Sequence, residues 1–164
     1  MRKKTEYDLF LEGKKPAILY NPHNKDIIYP PCLSEITERY PYISGIQVFD
    51  VENQLLYFQN ESLKMDFVCQ SQSVEINSLE WHKLIGLTLG YPPKATDFFM
   101  KIQSDPTLKR YQAYFHHDGM SFIGNVKEKQ EIAKWLHDHI SPVTTRCTFM
   151  DQTFYIDKEK TQAV

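Results

Sequence analysis

Histidine is the residue type that brings this chain nearest to acid–base or metal chemistry. His116, His117 and Asp118 adjoin, as do His137, Asp138 and His139. In a strand His116 and His117 point to opposite faces. In a helix His137 and His139 stand about 200° apart, because a turn takes 3.6 residues. Neither pair can chelate one ion alone. One histidine from each pair meets only if the later helix packs on the earlier hairpin. That convergence is the condition for one reading, a small histidine-dependent phosphoester hydrolase, metal-dependent or not. Its acid–base groups would be drawn from His116, His117, His137 and His139. The plainer reading is a surface turn plus a helix C-terminus, where the dipole favours a charged imidazole. No metal site and no cofactor is expected.

Other catalytic frameworks are missing from the sequence. A two-histidine phosphodiesterase needs two His-x-Thr/Ser units, and only His139-Ile140-Ser141 fits. His117-Asp118 lies at an expected turn, whereas metal-dependent phosphohydrolases carry their His-Asp dyad on helices. The chain contains no Gly-x-Ser-x-Gly elbow, no G-x-G-x-x-G and no Walker-type loop. Cys32, Cys69 and Cys147 are odd in number and far apart, without a Cys-x-x-Cys pair. They read as reduced thiols rather than as a zinc or redox site.

A second group of residues suits binding. The stretch LTLGYPPKATDFF, Leu87 to Phe99, joins two expected helices through Gly90, Tyr91, Pro92 and Pro93. The free N–H groups of the second helix, beside Lys94, attract an anion. Asn125, Val126 and Lys127 open another helix in the same way. Tyr91, Tyr111, Tyr114, Phe115 and Trp81 offer flat surfaces for a ring. The candidate ligand-binding set is therefore Tyr91, Lys94, Tyr111, Tyr114, His116, His117 and Lys127, for a small polar, nucleotide-like ligand. The competing reading makes Gly90-Tyr91-Pro92-Pro93 simply a rigid corner.

The elements that must position these residues follow from patterning. Residues 16–31 read as a strand, a polar turn at Asn21 to Asp26, and a second strand stopped by Pro30 and Pro31. Leu33 to Tyr40 reads as a short helix ended by Pro41. Gly45 to Asn60 reads as a hairpin turning at Asn53-Gln54, with Met65 to Gln70 a further strand of the same sheet. Asn77 and Glu80 have the spacing of a capping box for a helix that ends at Gly90. Pro93 suits the first turn of the next helix, whose core face is Phe98, Phe99 and Ile102. Leu108 to Asn125 reads as a hairpin around Asp118-Gly119, with positive φ at both central positions. Asn125 and Glu128 form a second capping box, before a helix burying Ile132, Ala133, Trp135, Leu136 and Ile140. Two strands around Asp151-Gln152 follow.

The expected fold class is therefore α+β: one domain over residues 1–157, a mainly antiparallel sheet with two to four helices on it, and a frayed tail at 158–164. At 164 residues the chain is long enough for one buried core. Hydrophobic residues are 41% and charged residues 24%, ordinary for a globular domain. The formal net charge of -2 argues against a nucleic-acid or anionic-membrane binder. Glu6 and Asp8 interrupt the basic start, and no apolar run reaches the roughly 20 residues of a membrane span, so a cytoplasmic location is expected. The expected function is non-catalytic: capture of the small ligand or of a protein partner. A bacterial or phage accessory protein fits, including an inhibitor or a sponge for a signalling molecule. A homodimer is expected from aromatic-rich strands at a sheet edge.

Overall fold

A computed structural model describes residues 2–24, 26 and 29–158. The fold is α+β with two antiparallel sheets, and the chain gathers into two compact units. Six α-helices occur among the described residues, more than the two to four expected.

The first unit is residues 6–90. It holds α1 (Glu6–Leu11), β1 (Ala17–Tyr20), α2 (Leu33–Arg39), β2 (Tyr42–Val48), β3 (Val51–Phe58), α3 (Glu61–Ser71) and α4 (Leu79–Thr88). Its sheet runs β1-β3-β2. Lys25, Ile27 and Ile28, in the expected turn and second strand of residues 16–31, lie outside the described residues. The partner of β1 is β3, with Ala17 opposite Phe58.

Several local elements of this unit differ from the sequence expectation. The β2–β3 turn is Phe49-Asp50, since Val48 faces Val51, and Asn53-Gln54 lies inside β3. Residues 65–70 are helical rather than a strand. Phe67, Val68 and Cys69 favour strands, but Asn60 caps a helix by accepting from the Leu63 N–H at 2.9 Å. Ser78, not Asn77, caps α4, accepting from the Trp81 N–H at 3.1 Å. Asn77 instead clamps the hairpin turn. Its Oδ1 accepts from Phe49 N–H at 2.9 Å and its Nδ2 donates to Phe49 O at 3.0 Å. That grip supports the positive φ of 54° at Phe49, uncommon for an aromatic residue. Gly90 ends the α4 segment at φ +86°, and an added Cβ would meet Pro16 Cδ at 2.7 Å, so glycine is required on two counts.

The second unit is residues 1–5 with 91–164. It holds α5 (Pro93–Ser104), a 3₁₀ turn (Pro106–Tyr111), β4 (Gln112–His117), β5 (Met120–Asn125), α6 (Lys129–His139), β6 (Thr145–Phe149) and β7 (Gln152–Ile156). Its sheet runs β5-β4-β6-β7. One face is apolar: Phe115 sits opposite both Phe122 and Cys147, and Ala113 opposite Gly124. Helices α5 and α6 pack against this sheet, with Phe98, Ile102, Ile132, Ala133 and Leu136 buried.

Period-3.6 patterning located α6 well, with one exchange: Trp135 is only half-buried, and His137 takes the buried place. Trp135 lies over His139 instead, ring centroids 4.4 Å apart. Asp118-Gly119 makes the β4–β5 turn, but positive φ occurs only at Asp118. Gly119 is needed for another reason, since an added Cβ would lie 2.6 Å from the Thr5 carbonyl oxygen. The last turn is Met150-Asp151, one residue earlier than expected, with Phe149 facing Gln152. Asn125 accepts from the Lys127 N–H at 2.9 Å, capping a 3₁₀ turn rather than α6 directly. Residues 159–164 of the expected tail lie outside the described residues.

Candidate functional site

The convergence that the histidines require does occur, for one of each pair. His117 on β4 and His137 on α6 bring their ring centroids to 5.5 Å. Both are closed from solvent, at 1% and 4% exposure. Thr145, fully buried at the start of β6, stands between them. Its hydroxyl lies 2.8 Å from His117 Nδ1 and 3.3 Å from His137 Nε2.

The partners of His117 fix its tautomer. The Ser141 carbonyl accepts only, so His117 Nε2–H donates to it at 3.0 Å. In the neutral ring Nδ1 then accepts from the Thr145 hydroxyl. Thr145 Oγ also lies beside His137 Nε2, while the His137 ring meets the Val143 backbone as well. The Ser141 hydroxyl donates to Asp118 Oδ2 at 2.9 Å, while Asp118 Oδ1 holds the Lys4 ammonium at 2.9 Å. The result is one directed chain from Thr145 through His117 and Ser141 to an ion-paired carboxylate.

This direction is wrong for nucleophilic catalysis. Ser141 Oγ lies 3.2 Å from His117 Nε2, within reach of a base. But that nitrogen carries a proton, and the serine gives its own proton to Asp118. His137 is held neutral, its pKa lowered chiefly by burial, with the Val143 backbone and Asp138 opposing. The arrangement therefore stabilises the unit's core. Among the described residues no group of three His, Cys, Asp or Glu side chains is placed to hold a metal ion.

The outer histidines go elsewhere. His139 Nδ1 bonds the Trp135 carbonyl at 2.8 Å. His116 lies on the sheet face opposite the helices, its Nδ1 2.8 Å from Ser121 Oγ. The strand register extends that contact into a row: Ser121 faces His116, His116 faces Arg146, and Arg146 faces Tyr155. Directly opposed residues point to the same side. Four side chains from four strands therefore share one surface. Lys3 and Asp118 join it to line a shallow pocket of about 340 Å³, near the lower end for ligand sites. Two residues along β4 on the same face, Tyr114 is 55% exposed; Tyr155 is 64% exposed. Among the described residues neither Lys3 nor Arg146 has a carboxylate within 4.0 Å. The pKa of His116 is lowered first by burial and then by Arg146 and Lys3.

Of the sequence-derived ligand set, only Tyr114 and His116 reach this face. Lys94 is already held by Glu131 at 2.8 Å and Glu128 at 3.4 Å, so its helix start faces the chain's own carboxylates. Tyr91 packs edge-on against Phe122 at 5.7 Å, as the rigid-corner reading expects. Lys127 lies 4.1 Å over the Tyr111 ring, away from the row. His117 is buried. Lys3, Ser121, Arg146 and Tyr155 escaped sequence reading because the register across four strands assembles them, and no local spacing does. Their one local signal is alternation: Arg146 and Tyr155 take the outward positions beside inward Cys147 and Ile156.

Charge divides between the units. Residues 1–5 and 91–164 carry 13 Lys and Arg against 9 Asp and Glu, a formal +4; residues 6–90 carry 6 against 12, a formal -6. The whole-chain value of -2 averages over this contrast. Among the described residues no helix is long and apolar enough to cross a membrane. Comparison with protein-family models, with curated proteins and with solved structures finds no match.

Proposed function

We propose that this is a non-catalytic binding protein that captures a small anionic, ring-bearing ligand of the nucleotide kind. The site is the helix-free face of the β5-β4-β6-β7 sheet. The observation that carries this reading is the row His116–Arg146–Tyr155, with Lys3 beside it. Two cations without carboxylate partners, next to an exposed ring, suit a phosphate and a base. Arg146 supplies bidentate geometry for phosphate oxygens, Lys3 a mobile point charge, and Tyr155 the stacking surface. The hydrolase alternative draws no comparable support. His117 and His137 meet, but they are out of reach of a substrate, and the His117 Nε2 that faces Ser141 already carries a proton. A protein that holds such a ligand without altering it fits an accessory role, as an inhibitor or a sponge. The calorimetric test titrates a nucleoside monophosphate, the matching nucleoside and inorganic phosphate into the protein and into Arg146→Ala. The monophosphate is expected to bind tightest, and Arg146→Ala to weaken it about tenfold, or about 1.4 kcal/mol. Equal binding by wild type and variant would remove the site.

A further inference from the structure

The face is larger than one nucleotide. Strands lie about 4.8 Å apart and residues rise about 3.3 Å along each. Tyr114 on β4 and Tyr155 on β7 are two strands apart and two residues out of step, so their backbones are roughly 12 Å apart. Rings in a stacked pair sit about 4.5–7 Å apart, so at this spacing each tyrosine is a platform of its own. Between them run His116 and Arg146, with Lys3 at the rim. Asp118, the carboxylate in that pocket, is neutralised by Lys4 at 2.9 Å. The unit that bears the face has a formal charge of +4. The whole-chain charge of -2 therefore does not weigh against nucleic acid on this face.

We infer that this face binds a short single-stranded nucleic acid, stacking two bases on Tyr114 and Tyr155 and holding the connecting phosphates with Arg146 and Lys3. The inference rests on the reading of the face as a nucleotide site and extends it from one nucleotide to a strand. Stacking on aromatic rings tolerates any base, so little sequence preference is expected. Duplexes, whose bases are already stacked, are expected to bind poorly. Two phosphate contacts give a slope of log affinity against log salt of about -1.4, at about -0.7 per contact on single strands.

The test is fluorescence anisotropy with labelled ten-residue oligo(dT) and oligo(U), at several salt concentrations, in competition with dTMP and UMP. Arg146→Ala, Tyr114→Ala and Tyr155→Ala are compared, with circular dichroism confirming the fold. All three residues are exposed, on three different strands. The inference predicts ten-mers at least tenfold tighter than the mononucleotides, and a 5- to 100-fold loss for each tyrosine variant. It also predicts a salt slope shallower by about 0.7 in Arg146→Ala. A ten-mer that binds no tighter than its mononucleotide overturns the strand while leaving the nucleotide site. Failure of both ligands overturns both readings. Ten-mer binding unchanged in all three variants also overturns the inference. So does self-association in sedimentation that Arg146→Glu abolishes without oligomer binding, which would make an acidic protein surface the occupant.

Discussion

Thr145→Val isolates what the buried histidine chain contributes. Valine matches threonine in shape, so no cavity forms, and the change removes one hydroxyl. That hydroxyl makes two bonds, to His117 Nδ1 at 2.8 Å and His137 Nε2 at 3.3 Å. Its loss takes the donor from the buried His117 Nδ1 acceptor. Such a group costs about 1–3 kcal/mol. The expected loss is about 1–3 kcal/mol, reduced by a few tenths through valine's better fit in strands. Urea unfolding measures it, with Trp135 fluorescence as the probe in a Trp81→Phe background, since Trp81 lies in the other unit. The midpoint should fall with m unchanged. Thr148→Val, on the outer face of the same strand, should change stability by less than about 0.5 kcal/mol. A loss below about 0.5 kcal/mol for Thr145→Val would refute the chain as drawn.

Burial lowers the pKa of His137, so the unfolded chain takes up a proton more readily than the folded one. Stability from this group is present above the unfolded value near 6.5 and is lost as pH falls towards the folded value, at about 1.4 kcal/mol per pH unit; urea midpoints from pH 8 to 5 should fall less steeply in His137→Gln than in wild type, the remaining slope coming from His116 and His82, which burial also lowers. Gly119→Ala puts a methyl against Thr5 backbone and should cost about 1–3 kcal/mol in thermal unfolding; an unchanged midpoint contradicts that close approach. Burial pushes the Cys147 thiol up to about 11, whereas Cys69 is exposed. A thiol reagent at pH 8 should label Cys69 in seconds to minutes and Cys147 only after unfolding, and early labelling of Cys147 would contradict its burial.

Elements with a local signature were legible in the sequence. Gly90 and Pro93 bounded α4 and α5, Asp118-Gly119 marked the β4–β5 hairpin, and the 3.6-residue period of Ile132, Ala133 and Leu136 located α6. Where two local rules competed, a residue outside the segment decided. Residues 65–70 favour a strand by composition, yet the cap at Asn60 starts a helix through them. Asn77 has the spacing of a cap, but Phe49, 28 residues away, takes its side chain. The sequence allows His117 and His137 to meet through packing; it does not show their closure from solvent, because burial depends on Thr145 and Ser141 arriving from a later segment. The candidate face was legible only at Tyr114 and His116. Arg146 and Tyr155 reach it through pairing that no short motif encodes.

The central claim is that the open face around Arg146 holds the ligand. Amide chemical shifts followed while a nucleoside monophosphate is titrated into labelled protein test this most directly. Saturable shifts are expected, concentrated at Lys3, His116, Ser121, Arg146 and Tyr155, and they should disappear in Arg146→Ala. Shifts centred on His117 and His137, or confined to residues 6–90, would contradict it.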